Sequence, residues 1–136
     1  MEWETCCNQR LVKEITPDIG LIDSLKKSSQ DVIKTTETIV LNETTASTKV
    51  SLMYSSVREL LEALALSKGF KIYNHECFAA FLAAKCNKTH LAEKFDRFRK
   101  IRNGLRYYGQ RISPKEANFL IDEMKSLYTE IAEMLQ

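Results

Sequence analysis

Long stretches with a helical apolar period and almost nothing to interrupt them constrain this chain more than any other feature. From about 46 to 68, Val50, Met53, Tyr54, Val57, Leu60, Leu61 and Leu64 recur at three- and four-residue spacing, the pattern of a helix with a buried face. The 136 residues include only 4 Gly and 2 Pro, and a strand-rich fold usually needs more turn residues than that. Pro17 and Pro114 both stand near helix-start signals. The expected fold is all-α: an antiparallel up-down bundle of four to five helices, in one domain spanning 1–136, with residues 1–16 as a lead-in.

The remaining helices follow from caps and apolar stripes. The lead-in reads as irregular or briefly helical, anchored by Trp3, Leu11 and Ile15. Thr16-Pro17-Asp18 offers a cap, a proline at the first helical position and an acid in the first turn. A helix from about 18 to 41 follows, with Ile22, Leu25, Val32, Ile33, Ile39 and Val40 inside and a polar interruption at Lys26–Gln30. Gly69 stops the 46–68 helix, and Asn74 caps a shorter one over Glu76–Lys85 around Phe78, Ala79, Phe81 and Leu82. A helix over 90–108 takes Leu91, Phe95, Phe98, Ile101, Leu105 and Tyr108 as its inner stripe. Ser113-Pro114-Lys115-Glu116 then combines a capping serine, a proline at the first position and the glutamate of a capping box. The last helix buries Ala117, Leu120, Ile121, Met124, Leu127, Tyr128 and Ile131.

Several classes are set aside. With 44% hydrophobic and 28% charged residues, the composition is that of a folded domain rather than a disordered chain. No apolar stretch approaches the roughly 20 residues that span a bilayer. Met1-Glu2-Trp3-Glu4 lacks a basic segment followed by an apolar run, so a cytoplasmic protein is expected. Cys6 and Cys7 are adjacent, Cys77 and Cys86 stand apart, and neither His75 nor His90 has zinc-ligand spacing to a cysteine. The cysteines read as buried or bystander thiols in a reducing compartment, and neither a metal nor a cofactor is expected.

The total charge of +2 is uninformative, but its distribution is not. Lys88 to Arg111 holds eight Lys/Arg against Glu93 and Asp96, a net +6 in 24 residues, which leaves −4 for the rest of the chain. At helical spacing Arg99, Arg102, Asn103 and Arg106 share one face. Guanidinium forks bind phosphate oxygens, and an asparagine amide can add a donor. Tyr107, one turn beyond Asn103, can stack on a base or donate its hydroxyl. The competing reading is a solvated charged face held by internal Arg–Glu pairs. Arg102 resists it, because it falls within the apolar stripe between Phe98 and Leu105 and a charge there needs a partner or a crevice.

Arg102-Asn103-Gly104-Leu105-Arg106-Tyr107-Tyr108-Gly109 resembles the hallmark helix of the HEPN (higher eukaryote and prokaryote nucleotide-binding) superfamily. There an arginine, usually followed by a polar residue, precedes a histidine by four to six positions. Val57-Arg58-Glu59-Leu60-Leu61-Glu62-Ala63-Leu64 and Gly69-Phe70-Lys71-Ile72-Tyr73-Asn74-His75-Glu76 look like the second helix of that superfamily and the junction after it. Phe95-Asp96-Arg97-Phe98-Arg99-Lys100-Ile101 is similar to the approach to the hallmark. Met1-Glu2-Trp3-Glu4 and Leu11-Val12-Lys13-Glu14-Ile15-Thr16-Pro17-Asp18 resemble the lead-in of uncharacterised archaeal members. Arg102 and Asn103 match the hallmark arginine and its polar neighbour. Its histidine has no counterpart: Tyr107 stands five residues after Arg102, and a phenol with an ordinary pKa of about 10 is a poor general base at neutral pH.

The resemblance implies a nucleotide- or RNA-associated binding module, with Arg99, Arg102, Asn103 and Arg106 meeting phosphate. It also implies a homodimer built through the hallmark helix and a nucleotidyltransferase-type partner in a toxin–antitoxin-like system. One alternative is a metal-independent ribonuclease using Arg102, Asn103 and Tyr107. Another is a dimeric protein-interaction bundle with no nucleic-acid role. His90 lies about 18 Å from Arg102 along a helix rising 1.5 Å per residue, and His75 lies at a helix junction. Both are expected to be caps or surface residues rather than parts of the Arg102 site.

Overall fold

The structure, a computed structural model, describes residues 1–135. Along these residues run α1 (Trp3–Asn8), β1 (Val12–Glu14), α2 (Ile19–Thr38), α3 (Ala46–Ser67), β2 (Phe70–Ile72), α4 (Glu76–Ala84), α5 (Thr89–Tyr107) and α6 (Pro114–Met134). The fold is mostly helical, as the apolar periodicity requires. Among the described residues no helix is long and apolar enough to cross a membrane.

Local chemistry sets the element ends. Asp18, not Thr16, caps α2 by accepting from the Leu21 N–H at 3.1 Å. Pro17 therefore precedes the cap instead of opening the helix. The turn into α3 is closed by Asn42, whose Oδ1 accepts from the N–H groups of Thr44 and Thr45 at 2.9 and 3.0 Å. Gly69, at φ +89°, ends the α3 segment in a conformation that other residues avoid. Asn74 Oδ1 accepts from the Glu76 N–H at 2.8 Å and starts α4. The full capping box at Ser113 and Glu116 opens α6.

Helix α3 is the hub. Its residues Val50, Met53, Val57, Leu60, Leu61 and Leu64 are buried together with Ala63, Ala65 and Leu66 on other sides of the helix. It packs chiefly against α2 and α6, while α4 and α5 pair with each other. Sequential α5 and α6 touch only slightly, so the packing departs from a strict sequence of neighbouring pairs. Helix α2 meets the hub partly through small polar residues. Ser29 lies inside the stretch expected to interrupt its stripe, yet it is fully buried. Its Oγ shares a 2.7 Å hydrogen bond with the Tyr128 hydroxyl, and its carbonyl accepts from Ser56 Oγ at 2.9 Å. Val40 and Tyr108, expected inside, are 76% and 77% exposed because α2 and α5 end before them.

The lead-in holds two further departures. β1 pairs antiparallel with β2, with Val12 opposite Ile72, Lys13 opposite Lys71 and Glu14 opposite Phe70. α1 lies against α4, and Trp3 meets Phe81 of α4 at 6.0 Å and Phe70 of β2 edge-on at 5.2 Å between ring centroids. This packing brings together Cys6 and Cys77, 71 residues apart in sequence, and they form a buried disulfide. Two of the expected thiols are thus a cross-link. Cys7 is a free exposed thiol, and Cys86 is free and half-buried.

Candidate anion-binding site

Phe95 and Phe98 of α5 are buried against the hub, and Arg102 is the next residue on their stripe, four after Phe98. The helix therefore carries a guanidinium to the edge of the core. It lies over the Tyr54 ring at 4.6 Å and faces the Tyr107 ring at 5.7 Å. Tyr54, from α3, is itself stacked on Phe95 with centroids 5.4 Å apart. The half-buried arginine has found its crevice, and the walls are aromatic.

The fourth member of the cluster is His75. Its place at the α4 start follows from the Asn74 turn, and it corrects the expectation that this residue is only a cap or a surface group. Arg102 Nη2 lies 3.3 Å from His75 Nδ1, and the Tyr54 hydroxyl lies 3.1 Å from the same nitrogen. A guanidinium only donates, so Nδ1 is the acceptor and the ring is neutral with its proton on Nε2. Burial holds His75 down to about 4, reinforced by the charges of Arg58, Arg102 and Arg99 and opposed by Glu62. Burial also raises the Tyr54 phenol, with Arg102 as the main opposing influence. Tyr107 Oη accepts from Arg102 Nη1 at 3.4 Å, a long contact on an exposed side chain.

Arg102 pairs with no carboxylate among the described residues, and its Nε is buried without a hydrogen-bond partner. Neighbouring cations differ. Arg99 Nε donates to Asp96 Oδ1 at 2.9 Å, its Nη2 lies 3.8 Å from Glu76, and only 13% of its side chain is exposed. Burial pushes the Asp96 carboxyl up, but the hydrogen bond and charge of Arg99, helped by Lys100, leave it below its ordinary value. Arg97 is held by Glu123 at 2.7 Å. Arg106 is exposed with no ion pair among the described residues, and Asn103 is half-buried with no side-chain hydrogen bond among them. Gly104 is buried, and a Cβ there would collide with the Gln110 side chain that closes over α5.

Sequence spacing thus gathers Arg102, Asn103, Arg106 and Tyr107 on one helix, while Arg99 is turned into an intramolecular ion pair. Tyr54 and His75 arrive from elsewhere. Position 75 has no periodic relation to position 102, and the only signal for it was that a charge on an apolar stripe needs a polar neighbour. The cluster offers an uncompensated guanidinium, a neutral imidazole and two phenols: donors and aromatic faces suited to an anion attached to a planar group. A separate open groove of about 1150 Å³ runs between α1, α4 and α5 over Ala79, Ala80, Ala83 and Ala92. Its lining reaches Glu76, Asp96, Arg99 and Ile101 but none of Tyr54, His75, Arg102 and Tyr107, so its size does not bear on Arg102 chemistry. No protein-family model, no curated protein and no solved structure matches the chain.

Proposed function

We propose that the chain is a HEPN-like module that binds RNA or a nucleotide through phosphate, with Arg102 as the principal receptor and Asn103 and Arg106 beside it. The observation that carries this reading is the state of Arg102: a guanidinium clamped by two aromatic rings and facing no carboxylate among the described residues. Holding a cation unpaired at the core edge is costly, and an incoming phosphate oxygen offsets that cost. Tyr107, 64% exposed, supplies a face for a base. Arg99 is a supporting residue in this reading, because its charge already serves Asp96 and Glu76.

Fluorescence anisotropy with a labelled single-stranded RNA in EDTA tests the proposal. Affinity is expected to fall with salt. Arg102→Ala is expected to weaken binding by about ten- to a hundredfold, the range for losing charge-assisted hydrogen bonds, and Arg106→Ala by a smaller factor. Equal affinity in both variants points instead to the interaction-only bundle. The ribonuclease reading gains one specific support, since the 3.3 Å contact sets an imidazole beside Arg102 despite Tyr107 standing at the hallmark position. RNA cleavage in EDTA that disappears in both Arg102→Ala and His75→Gln would select that reading over simple binding. The homodimer through α5 and the nucleotidyltransferase-type partner belong to the same proposal through the resemblance alone. Light scattering on the purified chain tests the first, and co-purification with such a partner tests the second.

A further inference from the structure

We infer that His75 is the proton-accepting half of the anion receptor: a phosphodiester seated on Arg102 is bound together with one proton, which His75 takes up. The inference rests on the phosphate-binding reading above and adds a linkage to pH that the reading alone does not contain.

The argument starts from what faces the imidazole. From α3 come the Tyr54 hydroxyl, Arg58 and Glu62; from α4 comes Glu76, next in the chain; from α5 come Arg99 and Arg102, the latter in contact with Tyr107. Arg58 is held by Glu62 at 2.9 Å, and Glu62 also holds Lys71. Arg99 is held by Asp96. Among the described residues Arg102 alone directs an uncompensated charge and an N–H at Nδ1. In the free protein that donor and the Tyr54 hydroxyl share the lone pair a second proton would need.

A phosphodiester oxygen changes both conditions at once. It balances the Arg102 charge, and it gives Nη2 a stronger acceptor than the imidazole. Nδ1 is then free to bind a proton from solvent, and the resulting N–H donates either to a second non-bridging phosphate oxygen or to the Tyr54 oxygen, which can reverse its role. The bound anion favours the imidazolium as any opposite charge at a few ångströms does. No covalent bond changes, and the only transfer is one proton from water to Nδ1.

The linkage fixes the direction of the effect. A group whose proton affinity rises on ligand binding makes that ligand bind more tightly as pH falls between the two titrations. If the complex titrates near the ordinary histidine value, affinity at pH 5.5 is about tenfold that at pH 8. The probe is a 2′-O-methylated oligouridine, which resists cleavage at the 2′ position and whose diester charge is constant over that range. Binding is measured at both values by anisotropy, and the two histidine rings are followed by NMR, with exposed His90 as the internal comparison.

The expected result is an affinity ratio near ten that falls to about one in His75→Gln, with the His75 ring resonances moving toward the protonated form as oligonucleotide is added at pH 6. Binding with no pH ratio, or a ratio that survives in His75→Gln, overturns this inference and leaves phosphate binding by Arg102 standing. No binding at either pH overturns both. Should His75→Gln fail to fold, the wild-type NMR titration decides alone: a His75 ring that titrates identically with and without the oligonucleotide sinks the linkage.

Discussion

Arg102 owes its position to periodicity and its tolerance to its neighbours. Guanidinium–ring contacts are worth about 1–2 kcal/mol where partly desolvated, and Tyr54 offers such a contact at 4.6 Å. Replacing Tyr54 with Leu removes ring and hydroxyl together and is expected to weaken RNA binding, whereas Tyr54→Phe should retain most of it; anisotropy on the two variants separates clamp from hydroxyl. His75 carries a stability consequence of its own. Held down to about 4 by burial and nearby cations, it takes up its proton later in the folded chain than in the unfolded one. The unfolded state is therefore favoured as pH falls from the ordinary value of 6.5 toward 4. Urea unfolding across that window should show stability falling with pH in the wild type and a flatter profile in His75→Gln. Of these residues the sequence exposed Arg102, Asn103, Arg106 and Tyr107 through helical spacing. Tyr54 was read only as core, and His75 was hidden because a contact between helices leaves no trace in chain spacing.

Among the elements, α3 and α6 were plain from sequence because their stripes are long, and α6 also because its capping box is complete. The β1–β2 pair was not, since three-residue strands are too short for alternation to stand out from a loop. Helix α2 was readable in extent but not in its inner face: Ser29 and Thr36 are buried by virtue of small size and internal hydrogen bonds, which hydropathy scores as exposure. The Ser29–Tyr128 bond predicts that Tyr128→Phe lowers stability by about 1 kcal/mol, measurable by chemical denaturation. The disulfide is a tie between elements that no cysteine spacing announced. Joining residues 71 apart removes unfolded-state freedom worth about 4 kcal/mol in the chain-entropy account. Thermal unfolding with reductant present should show a clear fall in Tm, and Cys77→Ala should reproduce it without reductant.

For the molecule as a whole, the helical class was dictated by apolar period and scarcity of breakers, while the arrangement around a single hub depended on α3 being buried on nearly every side. Leu61, fully buried at that hub, makes the point quantitatively, since Leu61→Ala should cost about 2–5 kcal/mol and lower the denaturation midpoint accordingly. The same hub sets Tyr54 beneath α5, so the packing that stabilises the fold also builds the clamp around Arg102. The basic segment from Lys88 to Arg111 is less open than its charge suggests, because Arg97, Arg99 and Lys100 are held by carboxylates. What distinguishes a built receptor from a generally basic face is the geometry of one side chain. Arg102→Lys keeps the charge while losing the fork and the stacking plane. The affinity of this variant for single-stranded RNA is the most direct test. A loss of about tenfold at constant salt is the predicted result; affinity equal to that of the wild type would contradict the account.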